Sequence, residues 1–188
     1  TASCREEEQT GTQQCAIMQN SAGNDVKKHC TGGGENICTY TTYNSDGTQT
    51  TTSTRTTCDT SRATYTNGQC IPNNKSYDYP YETTYDEDNK KVAARFCTNL
   101  SNGNCQAYKD IEYDSAGNII YQWDRWCGTY NTDGSCATYS STADDTYTYN
   151  SAGQNETLVH HSCASTTTEG KCTRYKESGS TFRTFTYN

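Results

Sequence analysis

Cysteines are the residues of this chain best suited to chemistry, and twelve occur among 188 residues: Cys4, Cys15, Cys30, Cys38, Cys58, Cys70, Cys97, Cys105, Cys127, Cys136, Cys163 and Cys172. Unconstrained, twelve thiols pair in roughly ten thousand ways. Spacing narrows this, because each successive pair brackets a segment that contains glycine. The sharpest versions are Asn67-Gly68-Gln69-Cys70, Asn102-Gly103-Asn104-Cys105, Asp133-Gly134-Ser135-Cys136 and Glu169-Gly170-Lys171-Cys172, with Gly11 before Cys15 and Gly34 before Cys38 as looser ones. A hairpin closed by such a turn brings two Cα atoms within the roughly 4.4–6.8 Å that a bridge requires. The expected pairing is therefore sequential: Cys4–Cys15, Cys30–Cys38, Cys58–Cys70, Cys97–Cys105, Cys127–Cys136 and Cys163–Cys172. The alternative joins the second cysteine of one pair to the first of the next, across longer and more variable segments. Metal ligation does not fit. No Cys-x-x-Cys occurs, and His29, His160 and His161 do not complete a four-ligand set with two close cysteines. No metal and no cofactor is expected.

The remaining candidates are weaker. His160-His161 and Asp144-Asp145 carry acid–base groups, but adjacent residues on a strand point to opposite faces, so neither pair converges on a substrate. The expectation is no enzyme. The runs Glu6-Glu7-Glu8 and Asp86-Glu87-Asp88 lack the alternating ligands and glycine of a calcium loop and read as solvated turns. Tyr40, Tyr79, Tyr121, Trp123, Trp126 and Tyr147, near Asn and Asp, have the chemistry to stack on sugar rings; packing between strands is the plainer reading. Glycosylation sequons at Asn74, Asn99 and Asn155 occur no more often than chance allows. The Thr-rich stretch from Thr48 to Thr57 permits O-linked sugar without requiring it.

The elements that must position these residues are strands. Hydrophobic residues make up 30% of the chain, and Tyr (16) with Cys (12) supply about half of them. Too few aliphatic residues remain to offset chain entropy by burial alone, so covalent restraint must hold the fold. A conventional α/β enzyme is excluded, and so is membrane insertion through a long apolar run. Self-comparison reveals a repeat. An aromatic-rich strand ends in Tyr-Asn or Tyr-Asp and a turn follows, as in Tyr43-Asn44-Ser45-Asp46-Gly47, Tyr113-Asp114-Ser115-Ala116-Gly117 and Tyr149-Asn150-Ser151-Ala152-Gly153, with weaker copies at Asn20 and Tyr85. Asx and Gly supply the positive φ angles of tight hairpins. A second strand then runs to Cys30, Cys58, Cys97, Cys127 or Cys163, 10 to 14 residues beyond the Asx. A stapled turn follows, giving two hairpins per unit and about 31 residues per unit if six units share the 188 residues. Runs such as Thr50-Thr51-Thr52-Ser53-Thr54 and Tyr147-Thr148-Tyr149 have strand composition, and no helical periodicity survives.

The predicted fold is all-β: six disulfide-stapled two-hairpin repeats forming an elongated array, in a single repeat domain 1–188. Its units are approximately 1–15, 16–38, 39–70, 71–105, 106–136 and 137–172, and 173–188 is the strand that complements the first unit. The first unit lacks its opening strand, and Phe182, Phe185, Tyr187 and Asn188 have the composition of that missing piece, to be met by Thr1 and Cys4. Within one molecule such ends close a ring, as in a small six-bladed β-propeller. Between molecules they join copies head to tail. Short units and scarce aliphatics favour the array.

A net charge of −7 and a pI near 4.9 argue against nucleic acid as a partner. Disulfide-ready spacing in a polar chain implies an oxidising compartment: secreted, extracellular or cell-surface. The start at Thr1, without Met or apolar leader, is that expected of a processed product or an excised fragment.

The phrase Ile111-Glu112-Tyr113-Asp114-Ser115-Ala116-Gly117-Asn118-Ile119-Ile120, with its cousins at Tyr43 and Tyr149, resembles the tyrosine-aspartate (YD, Rhs-type) repeat of bacterial secreted and surface proteins. That resemblance implies strand–turn–strand units wound into extended shells, with structural, encapsulating or adhesive roles and no catalytic residue. The family lacks regular cysteine pairs, and this chain lacks the family's Gly-Arg-Leu ending. Together these readings lead to a secreted structural subunit that self-associates head to tail into a surface filament or matrix. The alternative is a multivalent lectin or adhesin whose partner is cell-surface glycan.

Overall fold

A computed structural model of the chain describes residues 2–5, 14–31, 35–66, 69–168 and 170–187. Its elements are strands: β1 (Gln14–Gln19), β2 (Asp25–Thr31), β3 (Glu35–Tyr43), β4 (Gln49–Cys58), β5 (Ala63–Thr66), β6 (Gln69–Pro72), β7 (Glu82–Tyr85), β8 (Lys91–Ser101), β9 (Asn104–Tyr113), β10 (Ile119–Tyr130), β11 (Cys136–Ser140), β12 (Ala143–Tyr149), β13 (Asn155–Thr166), β14 (Cys172–Tyr175) and β15 (Thr181–Thr184). The all-β expectation holds. No helix among the described residues is long and apolar enough to cross a membrane. Expectations resting on Thr1, Glu6 to Glu8, Gly11, Gly34, Asn67-Gly68, Glu169 and Asn188 lie outside the described residues.

Thirteen strands share one antiparallel sheet in the order β1-β2-β3-β4-β7-β8-β9-β10-β12-β13-β14, while β5 and β6 pair with each other. β11 and β12 lie end to end along β10, and β14 and β15 do the same along β13. A six-bladed propeller is not what forms. Apart from β5 and β6, all the strands belong to one continuous sheet, and the C-terminal strand pairs with β13 (Val159↔Phe182) instead of β1.

The two kinds of turn sort to opposite ends of the strands. At one end, the turns opened by Asn20, Asn44, Asp86, Asp114 and Asn150 share one hydrogen-bond pattern: the Asx N–H donates to the carbonyl four residues on, and its own carbonyl accepts from the residue three on. That last residue needs positive φ. Gly117 supplies it at +86°, and Asn89 at +60° where the sequence has no glycine. At the other end sit the stapled turns, among them Asn102-Gly103, where both residues have positive φ as a two-residue hairpin demands.

The three longest strands, β8, β10 and β13, each have an irregular register just after their first cysteine, between Cys97 and Asn99, Cys127 and Thr129, and Cys163 and Ser165. On the sheet side of these irregularities each of the three cysteines stands opposite a tyrosine: Cys97↔Tyr108, Cys127↔Tyr139 and Cys163↔Tyr175. Burial is modest and centred on β8 and β9. Ala63, Tyr81, Cys97 and Cys105 pack on one face, and Ala94, Phe96 and Ile111 on the other. Sulfur supplies part of the core that aliphatics lack.

Candidate functional site

Six disulfides form, in the sequential pairing, with Cα atoms 4.0–5.8 Å apart and no free cysteine among the described residues. Cys4 reaches Cys15 from Ala2–Arg5, a segment outside the strands whose Ala2 N–H lies 3.5 Å from Asp25 Oδ2.

The C-terminal residues singled out by sequence lie along β13. Phe185 N–H donates to the Glu156 carbonyl at 3.0 Å, and Phe182, Phe185 and Tyr187 remain exposed at 65%, 39% and 48%. At the opposite end of the sheet Ile17 and Met18 of β1 are exposed at 42% and 43%.

The six aromatics considered for sugar stacking do not share a surface. Trp123 is buried and donates its Nε1–H to the Gly170 carbonyl at 3.0 Å. Tyr121 gives its hydroxyl to Asp144. Trp126 and Tyr147 belong to the other face, Tyr40 lies on distant β3, and Tyr79 is covered on one side by Arg62 at 4.6 Å. Of the sequons, Asn74 and Asn99 are exposed, whereas Asn155 has its Oδ1 buried without a hydrogen-bond partner.

The acid–base residues are arranged in a way that strand-by-strand reasoning missed. Asp144-Asp145 and His160-His161 do point to opposite faces within each strand, yet β12 and β13 pair Asp144 with His161 and Asp145 with His160. Each face therefore holds one Asp and one His. On one face His160 Nδ1 meets Asp145 Oδ1 at 2.7 Å. On the other, Asp144 is buried and accepts hydroxyls from Tyr121 (2.8 Å) and Tyr175 (2.9 Å), while His161 Nε2 contacts Thr146 Oγ1 at 3.1 Å. Two doublets at matched positions on antiparallel strands are the sequence signal that could have revealed this. Among the described residues no three His, Cys, Asp or Glu side chains gather to hold a metal.

A second arrangement, absent from the sequence reading, lies on the face that carries Cys97 and Cys127. Arg95 donates its Nε–H to Asp110 Oδ1 at 2.6 Å, and Arg125 brings its Nε to 3.3 Å from Asp110 Oδ2. The Arg125 guanidinium, 6% exposed, lies 4.5–4.8 Å from the rings of Tyr108, Trp123 and Tyr139. Tyr108 and Tyr139 meet edge to face at 5.4 Å. Burial pushes the Tyr81 and Tyr108 hydroxyls far above the usual phenol range, so both stay protonated. Of these groups Arg95, Arg125, Tyr81, Tyr108 and Tyr139 line a hollow of about 500 Å³, together with Tyr65 and Gln69 of the β5–β6 hairpin and Glu82.

Comparison with known proteins returns no match, whether to a family model, a curated protein or a solved structure.

Proposed function

We propose that the chain is a structural subunit of an extracellular filament or matrix, joined head to tail through the two edges of its sheet. The observation that carries this is the pair of edge strands. Among the described residues no strand lies outside β1 or outside β14 and β15, although the non-strand segment Ala2–Arg5 is tied to β1 by Cys4–Cys15. β1 has no charge and no proline; β15 has one charge, Arg183; both present exposed apolar side chains. Edges of this kind are templates for further strands, and natural sheets normally block them with Lys, Pro or a covering element. The six disulfides agree with an oxidising, extracellular setting. The likeness of the Tyr-Asx turns to YD repeats of surface proteins points the same way.

The geometry constrains the joint. With eleven antiparallel positions in the sheet, β1 and β15 run in the same direction. Head-to-tail addition therefore makes a parallel ladder between β15 of one copy and β1 of the next, an interface that need not close on itself. A two-fold β15–β15 pairing would be antiparallel and, without a further β1–β1 contact, would stop at a dimer. Light scattering with electron microscopy separates these. Growing fibres that disappear on Ile17→Lys and on removal of residues 181–187 are the expected result. A monomer that persists at millimolar concentration, or a dimer that goes no further, would refute the proposal.

A further inference from the structure

We infer that the hollow beneath the β5–β6 hairpin is a binding site for a neutral saccharide unit. The first argument is position. Elsewhere along the sheet the chain passes from one long strand to the next through a short stapled turn, with cysteines 8 or 9 residues apart in Cys30–Cys38, Cys97–Cys105, Cys127–Cys136 and Cys163–Cys172. Between β4 and β7 it departs from that plan, adding a separate two-stranded hairpin and the segment 73–81, and the hollow is where it departs. The insertion is anchored rather than loose. Asp59 N–H donates to the Tyr81 carbonyl at 2.8 Å, Asn73 N–H to the Arg62 carbonyl at 2.7 Å, and Cys58–Cys70 ties the hairpin to the sheet. A structure held this firmly, with an open space under it, is a preformed site.

The second argument is chemistry. Glu82 stands opposite Arg95 in the β7–β8 ladder, but Arg95 turns its Nε–H to Asp110 on the far side. The hollow thus offers a half-buried carboxylate acceptor beside guanidinium donors, with the rings of Tyr65, Tyr108 and Tyr139 around them. An anionic ligand would face Glu82; a cationic one would face Arg95 and Arg125. A polyol satisfies both, because each hydroxyl donates to the carboxylate and accepts from the guanidinium, while its C–H face lies on an aromatic ring. The volume, about 500 Å³, is in the range of small-molecule sites and holds roughly one or two pyranose rings. Burial raises the Glu82 pKa. The site is independent of the assembly reading, since a monomer would bind equally well.

The test is saturation-transfer NMR and titration on the full oxidised chain, using methyl glycosides of glucose, galactose, mannose and N-acetylglucosamine, with glucuronate and glucosamine as charged counterparts. A neutral glycoside should bind, more tightly than either charged sugar. Glu82→Gln, which keeps shape and should keep the melting temperature, should weaken it about tenfold, as expected for loss of a charge-assisted hydrogen bond. Tyr139→Ala should weaken it similarly; if that variant does not fold, Glu82→Gln decides alone. Silence from all four neutral glycosides, tighter binding of either charged sugar, or unchanged binding by Glu82→Gln would overturn the inference.

Discussion

The Tyr187 hydroxyl donates to the Asn155 carbonyl at 2.9 Å, and the Tyr149 hydroxyl donates to the Ile119 carbonyl at 2.8 Å. Tyr149 ends β12 and Tyr187 lies three residues past β15, and each clamps the first residue of the long strand beside it. Tyr187 therefore repeats the role of Tyr149 one strand pair later, holding β15 against β13. Removing the hydroxyl with Tyr187→Phe leaves the ring in place and deletes one exposed hydrogen bond, worth about 1 kcal/mol. The expected outcome is a roughly fivefold loss of hydrogen-exchange protection confined to the β15 amides, with the β8–β9 amides unchanged. Equal loss in both regions would show that the clamp is not local.

Disulfides should carry most of the net stability. Their cysteines are separated by 8 to 12 residues, and loops that short contribute about 2–3 kcal/mol each in the chain-entropy model. Six such bridges rival the entire net stability of an ordinary domain. Full reduction should abolish the far-UV β signal at 25 °C. Among single bridges, replacing Cys97 and Cys105 by Ser should cost most, because both are buried against Ala63 and Tyr81; replacing Cys4 and Cys15 should cost least, because Cys4 belongs to no strand. A reduced chain with an unchanged melting temperature would remove the premise.

The all-β fold and the cysteine pairing were legible because both are local facts. Gly103 between Cys97 and Cys105, or Gly117 after Asp114, reports a turn regardless of what lies around it. What joins distant strands was not. The pairing of Asp145 with His160 depends on the β12–β13 register, which no single strand encodes. The Arg125 cage needs residues from β9, β10 and β11 on one face, and the β10–β11 register, which sets Tyr139 opposite Cys127, brings Tyr139 into it. The turn between Cys58 and Cys70 was legible in the same way as the others, but not that its hairpin leaves the main sheet. Its role as the wall of a hollow follows from the curvature and twist of the finished sheet, which composition does not record.

Arg125 and Arg95 share Asp110 but should not be equal. Arg125 is 6% exposed and packed among three aromatic rings; Arg95 is 37% exposed. Arg125→Ala would remove a desolvated cation and leave a void under Tyr108 and Tyr139, at a cost of about 3 kcal/mol. Asp110 would keep Arg95, so the loss should stay below that of orphaning a buried charge. Arg95→Ala should cost about 1 kcal/mol. Urea unfolding of the two variants gives the comparison, and a larger effect for Arg95→Ala would contradict the cage as a packing unit.

The Asx turns should respond differently to acid although their geometry is the same. Asp114 Oδ1 accepts the N–H groups of Ala116 (2.9 Å) and Asn118 (2.8 Å), and Asn150 Oδ1 accepts those of Ala152 (3.0 Å) and Gln154 (3.0 Å). Those amide donors favour the ionised carboxylate and hold the Asp114 pKa below its usual value. A carboxyl depressed in the folded state contributes stability that is present above its unfolded pKa and is lost as the pH falls through the folded one. The Asp114 turn should therefore loosen in a window at and below the ordinary aspartate range, about pH 4 and lower. The Asn150 turn, with no proton to gain, should not. Following the amide shifts of Ala116, Asn118, Ala152 and Gln154 from pH 7 to 2 tests this, and Asp114→Asn should make the first pair as insensitive as the second. Matching titrations at Ala116 and Ala152 would mean that the acid response comes from elsewhere in the sheet and not from the turn carboxylate.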